Sequence, residues 1–351
     1  MKEPRGALAT RSGFYFLAFS SALGLGNLWR FPYIVGENGG GAFILLYVTL
    51  IFFLGAPLVI AELVVGKSAG RSLLASSIGF TNGLPIKSTR SGSLVGWLSF
   101  GMCLIVMSYY SIISGWSLYF FWKFILLNLR IEDVPYDVTK TKWLESNLQQ
   151  IFWVGVHLLI LGRIVVNGVS GSIERWINRL TPLLMILVLI LMWNAVSLRT
   201  LEDVLRYVFY PDFTKLSWSS LTHAVGHVFF TLSIGLGVMV TYGSYINNEI
   251  QIPIVSIRIA VIDMILSFMS ALLIVPLAMS ASGIWVKDPV LIFEVLPRMF
   301  MQNAGGLLYG LLFFACISIA GINGMMGFYS TIVASLMDRL RIGSRLKATW
   351  M

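Results

Sequence analysis

Long runs of apolar residues recur along the chain and are separated by short polar segments. A helix needs about 20 residues to cross the roughly 30 Å hydrocarbon core of a bilayer. Strands of a transmembrane barrel would be shorter and would alternate in hydrophobicity. The pattern therefore predicts an all-α integral membrane protein with about eight transmembrane helices, called spans one to eight, at 13–35, 42–66, 94–127, 149–166, 180–198, 221–246, 257–281 and 306–337.

Composition strengthens this prediction. Of the 351 residues, 57% are hydrophobic and 12% are charged, whereas a globular domain has about 45–50% and about 25%. So few polar residues could not cover the surface of a soluble fold. The same numbers exclude a disordered chain, which is polar and highly charged.

The net charge of +9 is distributed in short clusters between the apolar runs. Most Lys and Arg residues fall in segments that face the cytoplasm if the N-terminus is inside. Cytoplasmic loops carry such an excess in membrane proteins. We therefore expect a multi-pass protein of the plasma membrane with both termini in the cytoplasm. This charge distribution indicates the lipid bilayer as a partner and does not indicate a nucleic acid. The sequence does not indicate an oligomeric state.

Spans one and six each carry a Gly-x-Gly motif near the middle, at Gly24–Gly26 and Gly235–Gly237. Glycine is also common where transmembrane helices pack closely, so one such motif would be ambiguous. Two motifs at matching places five spans apart are the pattern of an inverted-repeat transporter. Unwound backbone at these places offers carbonyl groups to Na⁺ and N–H groups to a carboxylate.

Segment 23–32 reads Leu-Gly-Leu-Gly-Asn-Leu-Trp-Arg-Phe-Pro and closely resembles the signature of the neurotransmitter:sodium symporter family. The resemblance runs collinearly from about Arg5 to Lys347 and includes the segments 20–32, 37–43, 55–62, 108–110, 229–233 and 302–306. It implies the leucine-transporter fold, which has twelve spans, the first ten of them in two inverted halves. We expect a single transmembrane domain over 1–351, with a first repeat at 1–198 and a partial second repeat at 221–337.

The resemblance implies sodium-coupled symport of an amino acid or a related small substrate by alternating access. It does not imply an enzyme, and no nucleophile–base or metal constellation suggests one. The chain ends where the ninth span of the family would begin. The alternative interpretation is therefore a truncated fragment that does not transport and at most binds sodium or a partner.

The substrate pocket is the first site that the resemblance implies. Gly24 stands where monoamine-transporting members carry an Asp, which leaves room for the carboxylate of the substrate. Tyr110 would donate a hydrogen bond to that carboxylate, and the remaining apolar surface suits an apolar or aromatic amino acid. The implied pocket residues are Ala22, Gly24, Leu25, Gly26, Val106, Tyr110, Phe230, Ser233, Leu236 and Phe328.

Two sodium sites follow from the same resemblance. The first would use Ala22, Asn27, Thr231 and Asp263, and the second Ser20, Leu23, Ala320 and Asn323. A buried Asp in a span is costly unless it is paired or neutralised, so a protonated structural carboxyl is the alternative for Asp263. Gly324 falls where the family has a Ser or another small residue, and it offers no oxygen to the second site. The alternative for this site is packing of small residues.

The resemblance also assigns gating residues and a backbone acceptor. Arg30 would be the cation of the outer gate. The inner gate would contain Arg5, Asp338 and Tyr245. Glu62 would accept hydrogen bonds from unwound backbone N–H groups, and its alternative is a polar group that serves local packing.

Chloride is a separate question. Ser267, Tyr47 and Thr231 match positions that bind chloride in chloride-dependent members. However, His227 replaces the usual Gln, and Asp263 already supplies a negative charge nearby. We therefore do not predict chloride binding.

Overall fold

A computed structural model describes residues 20, 24–77, 80–81, 84–85, 90–134, 146–197, 201–246, 250–282, 291–303, 305–340, 342 and 344–350. Most of these residues are helical. The helices are α1 (Phe31–Glu37), α2 (Gly41–Ala69), α3 (Leu73–Ser77), α4 (Arg90–Asn128), α5 (Asn147–Val165), α6 (Glu174–Ser197), α7 (Leu201–Phe209), α8 (Trp218–Thr231), α9 (Val238–Gly243), α10 (Ile252–Ser282), α11 (Leu296–Gln302), α12 (Gly306–Leu340) and α13 (Arg345–Thr349).

Shorter elements connect or interrupt these helices. Single π-helical turns lie before α1, inside α2, before α6 and before α11, at Gly26–Arg30, Ile51–Gly55, Val169–Ile173 and Leu291–Val295. A 3₁₀ turn spans Phe213–Lys215. Two short antiparallel strands, β1 (Phe80–Thr81) and β2 (Leu84–Pro85), pair Phe80 with Pro85 and Thr81 with Leu84.

Six helices in the described part of the chain are long and apolar enough to cross a membrane: Gly41–Ala69, Ser93–Asn128, Asn147–Val165, Gly171–Ala195, Ile252–Met279 and Gly306–Leu340. The all-α membrane class is confirmed, whereas the number of eight spans is not. The two remaining predicted spans, 13–35 and 221–246, are not continuous helices. The described part of the 13–35 span consists of Ser20, a bend at Gly24, Leu25, the π turn at Gly26–Arg30 and most of α1.

The break in the 221–246 span lies at 232–237, where a run of turns separates α8 from α9. Positive φ angles occur at Ser233 (55°), Gly235 (80°) and Gly237 (77°). L-residues other than glycine rarely adopt this left-handed conformation, and a right-handed helix cannot continue through it. The interruption therefore lies at the predicted Gly-x-Gly motif.

The helices pack in two groups. In the first group α2 packs against α8, α9 and α10, and α10 also packs against α1 and its preceding π turn. In the second group α12 packs against α4, α5 and α6. Stacked rings join α4 to α12, with centroids 4.9 Å apart for Phe120 and Phe314. Contact between α10 and α6 joins the two groups.

The loop before α2 is bonded to the connector between α6 and α8. Gly41 N donates to Tyr210 O and Asp212 N donates to Gly39 O, each at 3.1 Å. The hydroxyl of Ser220, in the first turn of α8, donates to the side-chain oxygen of Asn38 at 2.6 Å. These bonds hold the end of α1 against the beginning of α8.

Candidate substrate and sodium site

The site is built around backbone that does not continue a regular α-helix. Gly235 N, in the break between α8 and α9, donates to Glu62 Oε1 at 2.7 Å. This is the type of contact that the resemblance implies for Glu62. Ser270 Oγ donates to Asn27 O at 2.5 Å, and Leu25 N donates to Tyr110 Oη at 2.6 Å. Side chains therefore satisfy backbone groups that a regular helix would have paired internally.

The carboxylate of Asp263 lies at the centre of a fully buried polar cluster. Its Oδ1 accepts from Asn27 Nδ2 at 2.8 Å, and its Oδ2 accepts from Tyr47 Oη at 2.6 Å. Thr231 Oγ1 lies 3.0 Å from Oδ2 and also 3.0 Å from His227 O, so its single proton is shared between two acceptors. The cluster unites three residues that were predicted for the first sodium site: Asn27, Thr231 and Asp263.

The residues at the chloride-binding positions border the same carboxylate. Tyr47 Oη lies 3.1 Å from Ser267 Oγ. Because the tyrosine proton is given to Asp263, the serine must donate to the tyrosine oxygen. The buried ring of His227 packs beside Phe31 and Tyr47, with centroids 5.1 and 5.4 Å away. The carboxyl group of Asp263 thus already accepts hydrogen bonds from Tyr47 and Thr231.

A cavity of about 10 Å³ lies next to this cluster, and its lining residues are Gly24, Gly26, Asn27, Tyr110, Phe230, Thr231, Gly324 and Phe328. A cavity of this size is about the smallest that can hold one water molecule. The lining includes five of the predicted substrate residues and two of the predicted sodium ligands. Of the other predicted substrate residues, Leu25, Val106, Ser233 and Leu236 are buried but do not line the cavity, and Ala22 lies outside the described residues.

Aromatic rings form the walls of this cavity. The ring centroid of Tyr110 lies 6.2 Å from that of Phe230 and 5.9 Å from that of Phe328. The second pair meets edge to face, which is a favourable geometry for aromatic rings. These rings come from α4, α8 and α12, so the cavity lies where the two helix groups meet.

Asn323 is the most informative of the residues predicted for the second sodium site. It is fully buried in α12, and neither its amide oxygen nor its amide nitrogen has a hydrogen-bond partner among the described residues. Leaving a buried polar group unpaired costs about 1–3 kcal/mol. Ser20 and Ala320 are also buried, whereas Leu23 lies outside the described residues.

The predicted gating residues lie in different surroundings. Arg30 is partly buried and forms no ion pair within the part of the chain that the structure describes. Asp338 Oδ2, near the end of α12, accepts from the backbone N and the hydroxyl of Ser72 at 3.0 and 2.7 Å. Tyr245 is buried, and Arg5 lies outside the described residues.

Two features of the site were not predicted. Gly324 lines the cavity, although the sequence suggested only that it lacks an oxygen for sodium. Tyr110 accepts a backbone proton, although only its role as a donor was expected. Its place in span three beside an aromatic neighbour gave no indication of this acceptor role.

Comparison with protein families decides what kind of protein carries this site. The model of the sodium:neurotransmitter symporter family matches residues 5–152 and 136–351. The chain belongs to this family. The matched residues of the symporter family model include both broken segments, the Asp263 cluster and the residues that line the cavity.

Known proteins of similar sequence agree with this membership. The uncharacterized sodium-dependent transporter YhdH of Bacillus subtilis (strain 168) is 30% identical over 330 residues, which cover 93% of this chain and 72% of YhdH. The sodium-dependent neutral amino acid transporter SLC6A17 of Homo sapiens is 27% identical over 279 residues, or 70% of this chain and 37% of that protein.

The fold is similar to that of a solved transporter. The crystal structure of MhsT in complex with L-phenylalanine matches with a TM-score of 0.85 and 28% identity, covering 99% of this chain and 77% of MhsT. The leucine-transporter-like fold of the chain is thereby confirmed. As a member of the symporter family, this multi-pass membrane protein is a sodium-coupled symporter.

Proposed function

We propose that the symporter couples sodium to an amino acid that has an apolar or aromatic side chain. One observation carries the proposal: the Asp263 cluster shares Asn27 and Thr231 with a cavity whose walls are aromatic. An oxygen-rich cluster suits a hard cation, and an apolar cavity suits the side chain of the substrate. The L-phenylalanine bound to MhsT and the neutral amino acids named for SLC6A17 support this substrate class.

In this proposal the substrate carboxylate binds at the break beside Gly24. Leu25 N–H lies at this break and donates to the side chain of Tyr110. Such backbone donors, at the beginning of a half-helix, are suited to a carboxylate. The first sodium ion binds next to that carboxylate, with oxygen ligands from Ala22, Asn27, Thr231 and Asp263.

The second sodium ion is bound by the carbonyl groups of Ser20, Leu23 and Ala320 and by the side chain of Asn323. The buried amide of Asn323, which lacks a partner among the described residues, supports this assignment. Coordination of a cation by the amide oxygen would offset part of the cost of burying it.

Transport proceeds by movement of one helix group against the other. The first group contains α1, α2 and α8–α10, and the second contains α4–α6 and α12, which is consistent with the packing. The two groups correspond to parts of both repeats, 1–198 and 221–337.

Arg30 closes the outer side, and Arg5, Asp338 and Tyr245 close the inner side. The membrane potential supplies about 2.3 kcal/mol per charge for each 100 mV. We place the protein in the plasma membrane with both termini in the cytoplasm.

Chloride is not required in this proposal, because the carboxylate of Asp263 already accepts hydrogen bonds from Tyr47 and Thr231. A second anion at this place would be repelled by the carboxylate. Replacing chloride by gluconate at constant sodium should leave amino-acid binding unchanged. A requirement for chloride would show that Asp263 does not take its place.

Thermal unfolding of the purified chain tests the proposed substrate class. Each of the common amino acids is added in NaCl and, as the control, in KCl. A ligand at 100 times its Kd stabilises the folded state by about 2.7 kcal/mol. We expect apolar or aromatic amino acids to raise Tm in NaCl only. Stabilisation by amines that lack a carboxylate, or equal stabilisation in KCl, would contradict the proposal.

A further inference from the structure

Four positively charged side chains are exposed around the place where α5 ends and α6 begins. They are Arg163, Arg175, Arg179 and Lys347. Arg163 lies in the last turn of α5. Arg175 and Arg179 are four residues apart in the first part of α6, which places their Cβ atoms about 5–6 Å apart on one face of the helix. None of the four forms an ion pair within the part of the chain that the structure describes.

Lys347 belongs to the same junction because α13 packs against the end of α5. Arg345 Nε, in the first turn of α13, donates to Val165 O at 2.9 Å. A Cβ atom added to Gly162 would lie 2.8 Å from the ring of Trp350, which directly follows α13. The end of α5, the beginning of α6 and α13 therefore form one basic junction.

Little negative charge offsets the four cations of the basic junction. Glu174 is the only acidic residue in the segments 146–180 and 344–350, and it is buried. Two exposed tryptophans, Trp176 and Trp350, accompany the cations. Because tryptophan is enriched where a membrane protein passes through the lipid headgroups, we expect the cations to lie at the depth of the headgroup layer.

An exposed apolar face of α6 continues from the basic junction toward the middle of the membrane. Leu183, Ile186 and Ile190 are exposed. Together with Arg179 they recur at spacings of three and four residues, so they share one face of the helix. A small soluble anion would contact the cations alone, whereas a lipid would contact both the cations and this apolar face. The combination favours a lipid.

We propose that the basic junction binds an anionic phospholipid, with its headgroup on the four cations and an acyl chain along the exposed face of α6. Basic pockets between membrane helices on the cytoplasmic side are suited to anionic headgroups, and the orientation proposed above places the junction on that side. The junction shares no residue with the aromatic cavity. The inference is therefore independent of the proposed substrate.

Thermal unfolding of the purified chain in neutral detergent micelles tests the lipid site. Phosphatidylglycerol is added, or phosphatidylcholine with the same acyl chains as the control. We expect only phosphatidylglycerol to raise Tm, since a ligand stabilises the state that binds it. Equal stabilisation by phosphatidylcholine would overturn the proposal. Equal stabilisation by glycerol 3-phosphate, which has the phosphate but no acyl chain, would also overturn it.

Two double variants locate the headgroup. Each cation near an anionic lipid contributes a factor of about five to affinity. Arg175→Gln/Arg179→Gln should therefore raise the apparent Kd of phosphatidylglycerol about 25-fold. Arg163→Gln/Lys347→Gln, which alters α5 and α13 instead of α6, should have an effect of similar size. An unchanged Kd in both double variants would overturn the site.

Arg206→Gln/Lys215→Gln is the matched control. It removes the same charge from two exposed positions in the connector between α6 and α8. This control should bind phosphatidylglycerol as the unaltered chain does. If the control raises the Kd as much as Arg175→Gln/Arg179→Gln, the lipid responds to net charge alone, and the assignment of a site to the basic junction is wrong.

Discussion

The side-chain amide of Asn27 donates to the carboxylate of Asp263 at 2.8 Å, although the two residues are 236 positions apart in the chain. Asn27 lies in the π turn before α1, and Asp263 lies in α10. The contact joins one half of the predicted repeat pair to the other at the place where the backbone is irregular. Sodium binding there would act on both halves together.

Replacing Asp263 by Asn should weaken sodium binding. The amide keeps the shape of the side chain but lacks the negative charge that a cation and three neighbouring donors use. We expect the sodium concentration for half-maximal amino-acid binding to rise at least about tenfold, since charge-assisted contacts are roughly twice as strong as neutral ones. This half-maximal sodium concentration is measured from the binding of radiolabelled L-phenylalanine over a range of NaCl concentrations.

Ser256→Ala is the control for this variant, because Ser256 is buried in the same helix and donates only to Ile252 O in the contacts given by the structure. It should leave the sodium dependence unchanged. If Asp263→Asn also leaves it unchanged, Asp263 is a protonated structural residue, as the alternative interpretation held.

A side chain at Gly24 should exclude the substrate. The Cβ alone would lie 2.7 Å from Tyr110 Oη, and an Asp there would also repel the carboxylate of an amino acid. We expect Gly24→Asp to abolish L-phenylalanine binding in equilibrium dialysis and Gly24→Ala to reduce it less. Binding by Gly24→Asp within twofold of the unaltered chain would show that the carboxylate lies elsewhere.

Asn323 should contribute to the stabilisation of the folded chain by sodium. If its amide coordinates the second sodium ion, Asn323→Ala should reduce the stabilisation that NaCl gives over KCl in thermal unfolding, because a ligand stabilises only the state that binds it. Ser318→Ala is a matched control in the same helix, since Ser318 Oγ is likewise buried without a partner among the described residues. A reduction of the same size in both variants, or in neither, would argue against the second site.

Ser220 should stabilise the junction between α1 and α8. Its hydroxyl takes part in the capping box of α8 and donates to Asn38 Oδ1. Losing a cap and a buried hydrogen bond should lower the free energy of unfolding of Ser220→Ala by about 1–2 kcal/mol. Ser219→Ala, which removes an exposed hydroxyl, should have little effect. Equal unfolding free energies for the two variants would contradict a structural role for the Asn38 contact.

Sequence alone predicted the helical class and the position of the break in the 221–246 span, because glycine marks backbone that leaves the helix. It misplaced some helix ends. Span five was predicted from 180, beside Pro182, but α6 begins at Glu174 and contains that proline. A proline is tolerated at the beginning of a helix. In the interior it removes a backbone hydrogen bond, so packing against neighbouring helices decides whether the helix continues.

The site was less predictable than the helices. The family resemblance supplied residue types for sodium and substrate, but hydrogen-bond partners depend on distances between residues far apart in the chain. Ser72 with Asp338, Ser220 with Asn38 and Tyr110 with Leu25 N–H are such pairs. No local pattern distinguishes these hydroxyls from others that bond within their own helix, as Ser108 does with Leu104 O.

The most direct test of the central claim, that sodium and an amino acid share the site at the breaks, is their mutual effect on affinity. The Kd of L-phenylalanine is measured at increasing NaCl, and the apparent Kd of sodium at increasing L-phenylalanine, for the unaltered chain and for Asn27→Ala. We predict that each ligand strengthens the other by the same factor, as linkage requires, and that Asn27→Ala loses most of this coupling. A Kd of L-phenylalanine that is independent of sodium, or coupling that Asn27→Ala leaves intact, would contradict the account.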